Sequence, residues 1–200
     1  MQKNLCRNLL GLLFALFTLS GCLSAKYYID PALKDVNASA LRKPASPQAA
    51  QLAFEFQTNG KTNPRATDAL KQKITDTTKQ SGLFSNVSTD PLANSALLTI
   101  VINNIADLKE AQSKGFKTGL TLGASGTMVT DAYLCTMNYS RPGAAEIHTT
   151  VNHALHTTIG NQEGPAGLTP QENAMDAINK IMEQMVLNGL KQISDDPNFK

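Results

Sequence analysis

The sequence predicts an α+β fold: a mostly antiparallel sheet of about five strands with two amphipathic helices on one face, in the order β-α-β-β-β-β-α. Three observations carry this. Several runs between residues 51 and 160 alternate apolar and polar residues with period two. Two stretches repeat apolar residues at helical spacing behind residues that start helices. Turn signals, Asp90-Pro91 and Arg141-Pro142-Gly143, separate the strand-like runs.

The folded domain is expected over residues 51–200. LAFEF places Leu52, Phe54 and Phe56 on one face of a strand, with Ala53 and Glu55 opposite. A helix follows, capped by Asn63, with Pro64 at its first position and Gly82 closing it. Its inward stripe is Ala66, Ala69, Leu70, Ile74 and Thr77, while Lys71, Lys73 and Lys79 face water. LFSNVS, 83–88, reads as a short strand. LLTIVINNI, 97–105, is apolar on both faces at first, the mark of a central, covered strand.

The run from Phe116 to Tyr139 alternates nearly throughout. One straight strand of that length would reach about 80 Å, so a bend or break is expected, at Gly123 and Gly126. EIHTTVNHALHTTIG, 146–160, reads as the returning antiparallel strand. Thr169-Pro170-Gln171-Glu172 combines a capping box with proline at the first helical position. The helix it opens shows a wide apolar face: Ala174, Ala177, Ile178, Ile181, Met182, Met185, Val186 and Leu190. Asp195-Asp196-Pro197 is expected to end the chain in solvent.

This layout resembles the small periplasmic domains of envelope lipoproteins, such as the penicillin-binding-protein activators, the curli secretion lipoprotein and the amino-terminal domain of the Tol-Pal translocation protein. The matching features are LAFEF, the helix ending in SGLF (81–84), the LLTIVI strand and the last helix. The resemblance spans about residues 51 to 193 and is architectural, so it transfers no functional residue.

Residues 1–21 have the layout of a secretory signal. Lys3 and Arg7 precede the uncharged run LLGLLFALFTL, and the small residues Ser20 and Gly21 follow. Eleven residues rise only about 17 Å as a helix, too short for about 30 Å of hydrocarbon. The end of the run, Leu19-Ser20-Gly21-Cys22, resembles the lipobox of bacterial lipoproteins. That resemblance implies cleavage before Cys22 and a covalent diacylglycerol and N-acyl lipid on it, with no other cofactor. Two or more chains anchor stably where one anchors marginally. Leu23 stands where lipoproteins retained in the inner membrane commonly carry Asp. The resemblance therefore implies the outer membrane, periplasmic face. Residues 22–50, with three prolines and many Ala and Ser residues, read as the lipidated anchor and a flexible tether of about 30 Å. Within it, Tyr27, Tyr28 and Ile29 could pair as a short edge strand or lie at lipid headgroups.

Loss of Lys3 and Arg7 with the signal takes two from the 18 basic residues, which then balance the 16 acidic ones. A neutral chain without a basic block offers nothing to nucleic acid. Cys6 leaves with the signal and Cys22 carries lipid, so Cys135 stands alone and reads as a small buried hydrophobe.

His148, His153 and His156 do not make a metal site. His148 and His156 share a strand face but lie about 26 Å apart, His153 points the other way, and no zinc spacing is present. No catalytic residue is assigned. Gly123-Ala124-Ser125-Gly126 misses the G-x-S-x-G pattern by one position, and no phosphate-binding glycine motif occurs. The candidate interaction strand is KGFKTGLTLGASGTMV, 114–129. Its Gly115, Gly119 and Gly123 share one smooth face, with Gly126 close by, and Phe116, Leu120 and Leu122 line the other. The bland account of it is a strand bending across the core. The sharper one is a surface for a partner, or a hairpin in a ring of the kind the curli secretion family forms.

The expectation is a non-enzymatic outer-membrane lipoprotein whose periplasmic domain binds or scaffolds another envelope component, itself included. The alternative is an oligomeric lipoprotein forming part of a secretion or transport channel. An envelope hydrolase rests only on scattered Ser, His and Asp residues.

Overall fold

The computed structural model describes residues 24–106 and 128–200. Its strands are β1 (Ala25–Ile29), β2 (Ala49–Thr58), β3 (Lys61–Thr62), β4 (Asn86–Ser88), β5 (Ala96–Ile105), β6 (Met128–Ser140) and β7 (Ile147–Ile159). Its two α-helices are α1 (Pro64–Gln80) and α2 (Ala174–Asp195). The strands form one sheet in the order β1-β7-β6-β5-β2-β3, with β4 also beside β2. The fold is α+β, as expected, but the sheet has seven strands and is mixed. β2 runs parallel to both β4 and β5 because α1 carries the chain back across the sheet, while the other pairs are antiparallel.

The two extra strands, β3 and β1, have different causes, one local and one distant. Asn59 and Gly60 both take positive φ, 50° and 74°, in the two-residue turn that folds β3 back on β2. β1 comes from the segment read as a tether. Ala25 to Ile29 pair with Ile159 to Leu155, and the Asp30 amide continues the ladder to the Ala154 carbonyl at 3.1 Å. Tyr28, Leu41 and Ala50 are buried. The residues from 25 onward are therefore part of the fold, and of the two readings of YYI the edge strand is the one observed. Proline and alanine content concealed this, since a few well-placed apolar side chains suffice to dock a segment.

Arg42 and Lys43 dock that segment further. The Arg42 Nε donates to the Ser194 carbonyl and an Nη2 to the Asp196 carbonyl, both at 2.6 Å. Lys43 Nζ donates to the carbonyls of Ala38 and Ser81. One cation thus meets the carbonyl end of α2 and the next that of α1, where orphan acceptors and the helix dipole favour positive charge.

The helices pack on one face of the sheet, over a core that includes Leu98, Ile100, Ile102, Cys135, Met137, Ile74, Ile181, Met182 and Met185. Asn63 caps α1 as expected, its side chain accepting from the Ala66 amide, and Gly82 turns the chain at φ +65°. Ala69, expected inside, is exposed, and Lys73 bonds Glu183 of α2 at 2.7 Å. α2 starts later than the Thr169 capping box implies. Its cap is Asn173, accepting from the Asp176 amide, and Gln171 is taken instead by a bridge to Tyr27. The tail does not end in solvent either. Phe199 is 4% exposed and packs edge-on to Tyr139 and Phe84.

β5 is central, but among the described residues the first part of its second face is open: Leu97 is 40% exposed and Thr99 and Val101 are half-buried, while Asn103 and Ile105 further along are buried.

Candidate functional site

The other face of the sheet carries no helix among the described residues, and the strand register determines what it presents. Ala53, Thr99, Asn138 and His148 stand in one row across β2, β5, β6 and β7. Glu55, Val101, Thr136 and Thr150 form the next row. All eight are exposed or half-buried. Glu55 is the one carboxylate there, and no Lys or Arg enters either row. His148 Nδ1 lies 2.7 Å from the Asn138 amide oxygen and its Nε2 lies 3.5 Å from Glu146. Such a surface of methyl, hydroxyl and amide groups is flat and nearly uncharged. It can take up a protein surface through apolar contact and short hydrogen bonds, and it has no concavity to enclose a small substrate.

Toward the end of the sheet where β1 begins, this face closes. Ile105, Ala132 and Ala154 form a second buried cluster with Leu134 against it. Tyr28 is held close under Gly164, where any Cβ would strike its ring. Beside them lies a buried polar chain. His156, at 0% exposure, places Nε2 3.0 Å from Asp30 Oδ2 and Nδ1 2.9 Å from Thr130 Oγ1. Asp30, 2% exposed, also accepts from the Ala32 amide at 2.8 Å.

Carboxylate, imidazole and hydroxyl stand here in the order of a nucleophilic triad. Sequence reasoning found no pointer to it, because its members come from three strand ends, 126 residues apart at the extreme. Only the alternation of β7, which puts His156 on the face opposite His153, bears on it. Thr130 is 7% exposed and offers a substrate no approach. What the arrangement does is tie the end of β1 to β6 and β7 with fully used hydrogen-bonding groups.

His153 faces α2 on the helix side. Its Nδ1 accepts from the Ala154 amide at 2.9 Å, so the proton sits on Nε2, which donates to Gln184 Oε1 at 2.6 Å. Gln184 in turn donates to Asp35 Oδ1 at 3.0 Å, and Lys180 meets the same carboxylate at 2.7 Å. Burial pushes the His153 pKa below its usual value, outweighing the Gln184 bond that acts the other way. The Lys180 bond holds Asp35 below the carboxylate range.

The three histidines do not converge, and among the described residues no group of His, Cys, Asp and Glu is placed to hold a metal. Cys135 is buried, and desolvation raises its thiol to about 12, so it is an inert core residue. Cys22 and the glycines Gly115, Gly119, Gly123 and Gly126 lie outside the described residues, as does the expected break at Gly123 and Gly126. No described helix is long and apolar enough to cross a membrane.

No protein-family model matches the chain, and no curated protein matches it. Among solved structures, it is similar to rare lipoprotein B from Shewanella oneidensis at 9% identity, covering 72% of this chain and 92% of that one with a TM-score of 0.38. It is also similar to the PelC dodecamer from Paraburkholderia phytofirmans at 12% identity, covering 87% of this chain and 99% of that one with a TM-score of 0.37. Likenesses of this degree carry no argument about what this chain binds.

Proposed function

We propose that this is a lipoprotein of the outer membrane, anchored through Cys22 on the periplasmic face, whose domain binds or scaffolds another envelope component without catalysing a reaction. The observation that carries the reading is the nearly uncharged face of β2, β5, β6 and β7 around Thr99, Val101 and Thr136, open among the described residues. One carboxylate and no Lys or Arg across the two rows fit the depletion of charge that marks the core of a protein contact surface. Burial of the Thr130 hydroxyl and of the Cys135 thiol supports a non-enzymatic role, since neither nucleophile meets solvent. Two residues separate Cys22 from Ala25, so the three steps between them reach at most about 11 Å. The lipid would therefore hold the β1 end of the sheet close to the bilayer rather than on a long tether.

The test is in-cell photo-crosslinking from position 136, with position 71 on the exposed side of α1 as the comparison. A discrete protein adduct from 136 and none from 71 is expected. Equal or absent adducts would remove the face as the binding surface.

One observation favours the channel reading as an alternative. β5 ends at Ile105 and β6 begins at Met128, both toward the end of the sheet where Ala25 lies, because Ile105 pairs with Ala132, Met128 with Thr158 and Ala25 with Ile159. Both strand ends that flank the glycine-bearing segment therefore lie at the end the lipid would hold. A detergent-dependent ring in light scattering of the full chain, lost in Gly119→Val/Gly123→Val, would support it, and a monomer with and without detergent would exclude it.

A further inference from the structure

We infer that the cleft at the end of the sheet remote from Ala25 binds an oxyanion, a phosphate-like group of a soluble ligand, with Arg141 as its principal contact. The cleft encloses about 480 Å³ and is lined by Arg42, Lys43, Arg141 and Lys200, with Pro44 and Phe199 among the remaining walls. No Asp or Glu lines it. In a chain whose acids and bases nearly cancel, four cations around one concavity are a local excess.

Two of the four are held rigidly. Arg42 and Lys43 are pinned to the carbonyl ends of α2 and α1, so their positions are set without a carboxylate to neutralise them. The helix ends offset part of that charge, which leaves Arg141 and Lys200 as the two less committed cations. The Arg141 Nη1 donates to the Lys200 carbonyl at 3.3 Å, while its Nε is buried and finds no partner among the described residues. A buried guanidinium N–H without an acceptor is an exception in folded proteins. A guanidinium presents parallel N–H donors to an oxyanion, and with Nε sealed from solvent the pair open to a soluble anion is Nη1 and Nη2.

The position selects the source of the anion. Arg141 follows β6 at the end where β7 begins, and Ala25 pairs with Ile159 at the end where β7 finishes. The strand from Ile147 to Ile159 extends about 40 Å. If Cys22 is lipidated, the headgroups of that bilayer lie at the opposite end, and the anion must be soluble. The orientation rests on the proposed anchoring; the binding does not.

The experiment is a titration of the full-length chain in neutral-detergent micelles with inorganic phosphate, read from the Arg141 Nε–H resonance in a ¹⁵N spectrum. A saturable shift is expected, absent with chloride at matched ionic strength. Arg141→Gln should weaken the accompanying amide shifts at least about tenfold, as loss of a bidentate charged contact implies. Should that variant not fold, Lys200→Gln serves instead, with a weakening of about threefold, since it removes one point charge. A linear drift shared by phosphate and chloride would overturn the inference. In a parallel flotation assay with phosphatidylglycerol vesicles, full-length Cys22→Ser and Cys22→Ser/Arg141→Gln, which lack the proposed lipid, should bind alike. Loss of flotation in the double variant would assign the anion to lipid headgroups and overturn the soluble source.

Discussion

On β5, Leu98, Ile100 and Ile102 lie beneath the helices with no exposure, while Leu97, Thr99 and Val101 on the same strand lie open or half-open. The sequence of this strand is apolar in both directions, yet over residues 97–102 only one direction is buried among the described residues, the other closing only at Asn103 and Ile105. The neighbouring strands repeat the division: Cys135 and Met137 are buried on the helix side of β6, and Thr136 and Asn138 stand half-open on the other. The helix side of the sheet thus builds the main core, and the other side is largely open among the described residues. A substitution can be aimed at either without touching the other.

The largest expected effect is on the helix side. Ile100→Ala should destabilise the domain by about 2–5 kcal/mol, as deletion of a fully buried branched side chain does. Thr99→Ala, its neighbour on the other face, should change stability by no more than about 0.5 kcal/mol. Urea midpoints of the two variants measure the contrast, and similar losses would mean that both faces are load-sharing core.

Next comes the docked segment. Arg42→Ala removes charged hydrogen bonds to two carbonyls at the end of α2 and should cost about 1.5–3 kcal/mol. A flexible tether would show no change, so the same denaturation experiment separates the two descriptions of residues 25–50.

A smaller effect is expected from pH. The folded-state pKa of His153 is lowered from 6.5 by burial, so the unfolded chain binds the proton first. Its contribution is complete above 6.5 and is lost as pH falls through the depressed folded value. Asp35 acts in the same direction but only below 3.8, and it is largely exposed. Asp131 acts in the opposite direction, because burial raises its pKa above 3.8 and the folded state holds that proton longer. The urea midpoint of wild type should therefore drop as pH is lowered from 6.5, and His153→Gln should flatten that part of the curve.

Much of the helix-side architecture was legible from local chemistry. LAFEF, the Asn63-Pro64 start, LLTIVI and the apolar stripe of α2 all act over a few residues, and each forms the element its pattern implies. What escaped depends on distant partners. Tyr28 needs β7 and the Gly164 loop, Arg42 needs the end of α2, and Phe199 needs Tyr139 and Phe84. The Thr169 box lost to Asn173 because Gln171 is used by β1. The uncovered face escaped for a related reason. LLTIVI reads as covered on both sides, and nothing in a strand's own sequence says whether a second layer exists to cover it. The Asn59-Gly60 turn, by contrast, was available locally as a hairpin signal.

The most direct test of the division between the faces is the double variant Val101→Lys/Thr136→Lys, whose positions pair across β5 and β6. Two charges on the open face should lower the unfolding free energy from urea denaturation by no more than about 1 kcal/mol, through repulsion between the paired positions, while abolishing recovery of the crosslinked envelope partner from cells. An unfolded variant, or a folded one that recovers its partner in full, would contradict the account.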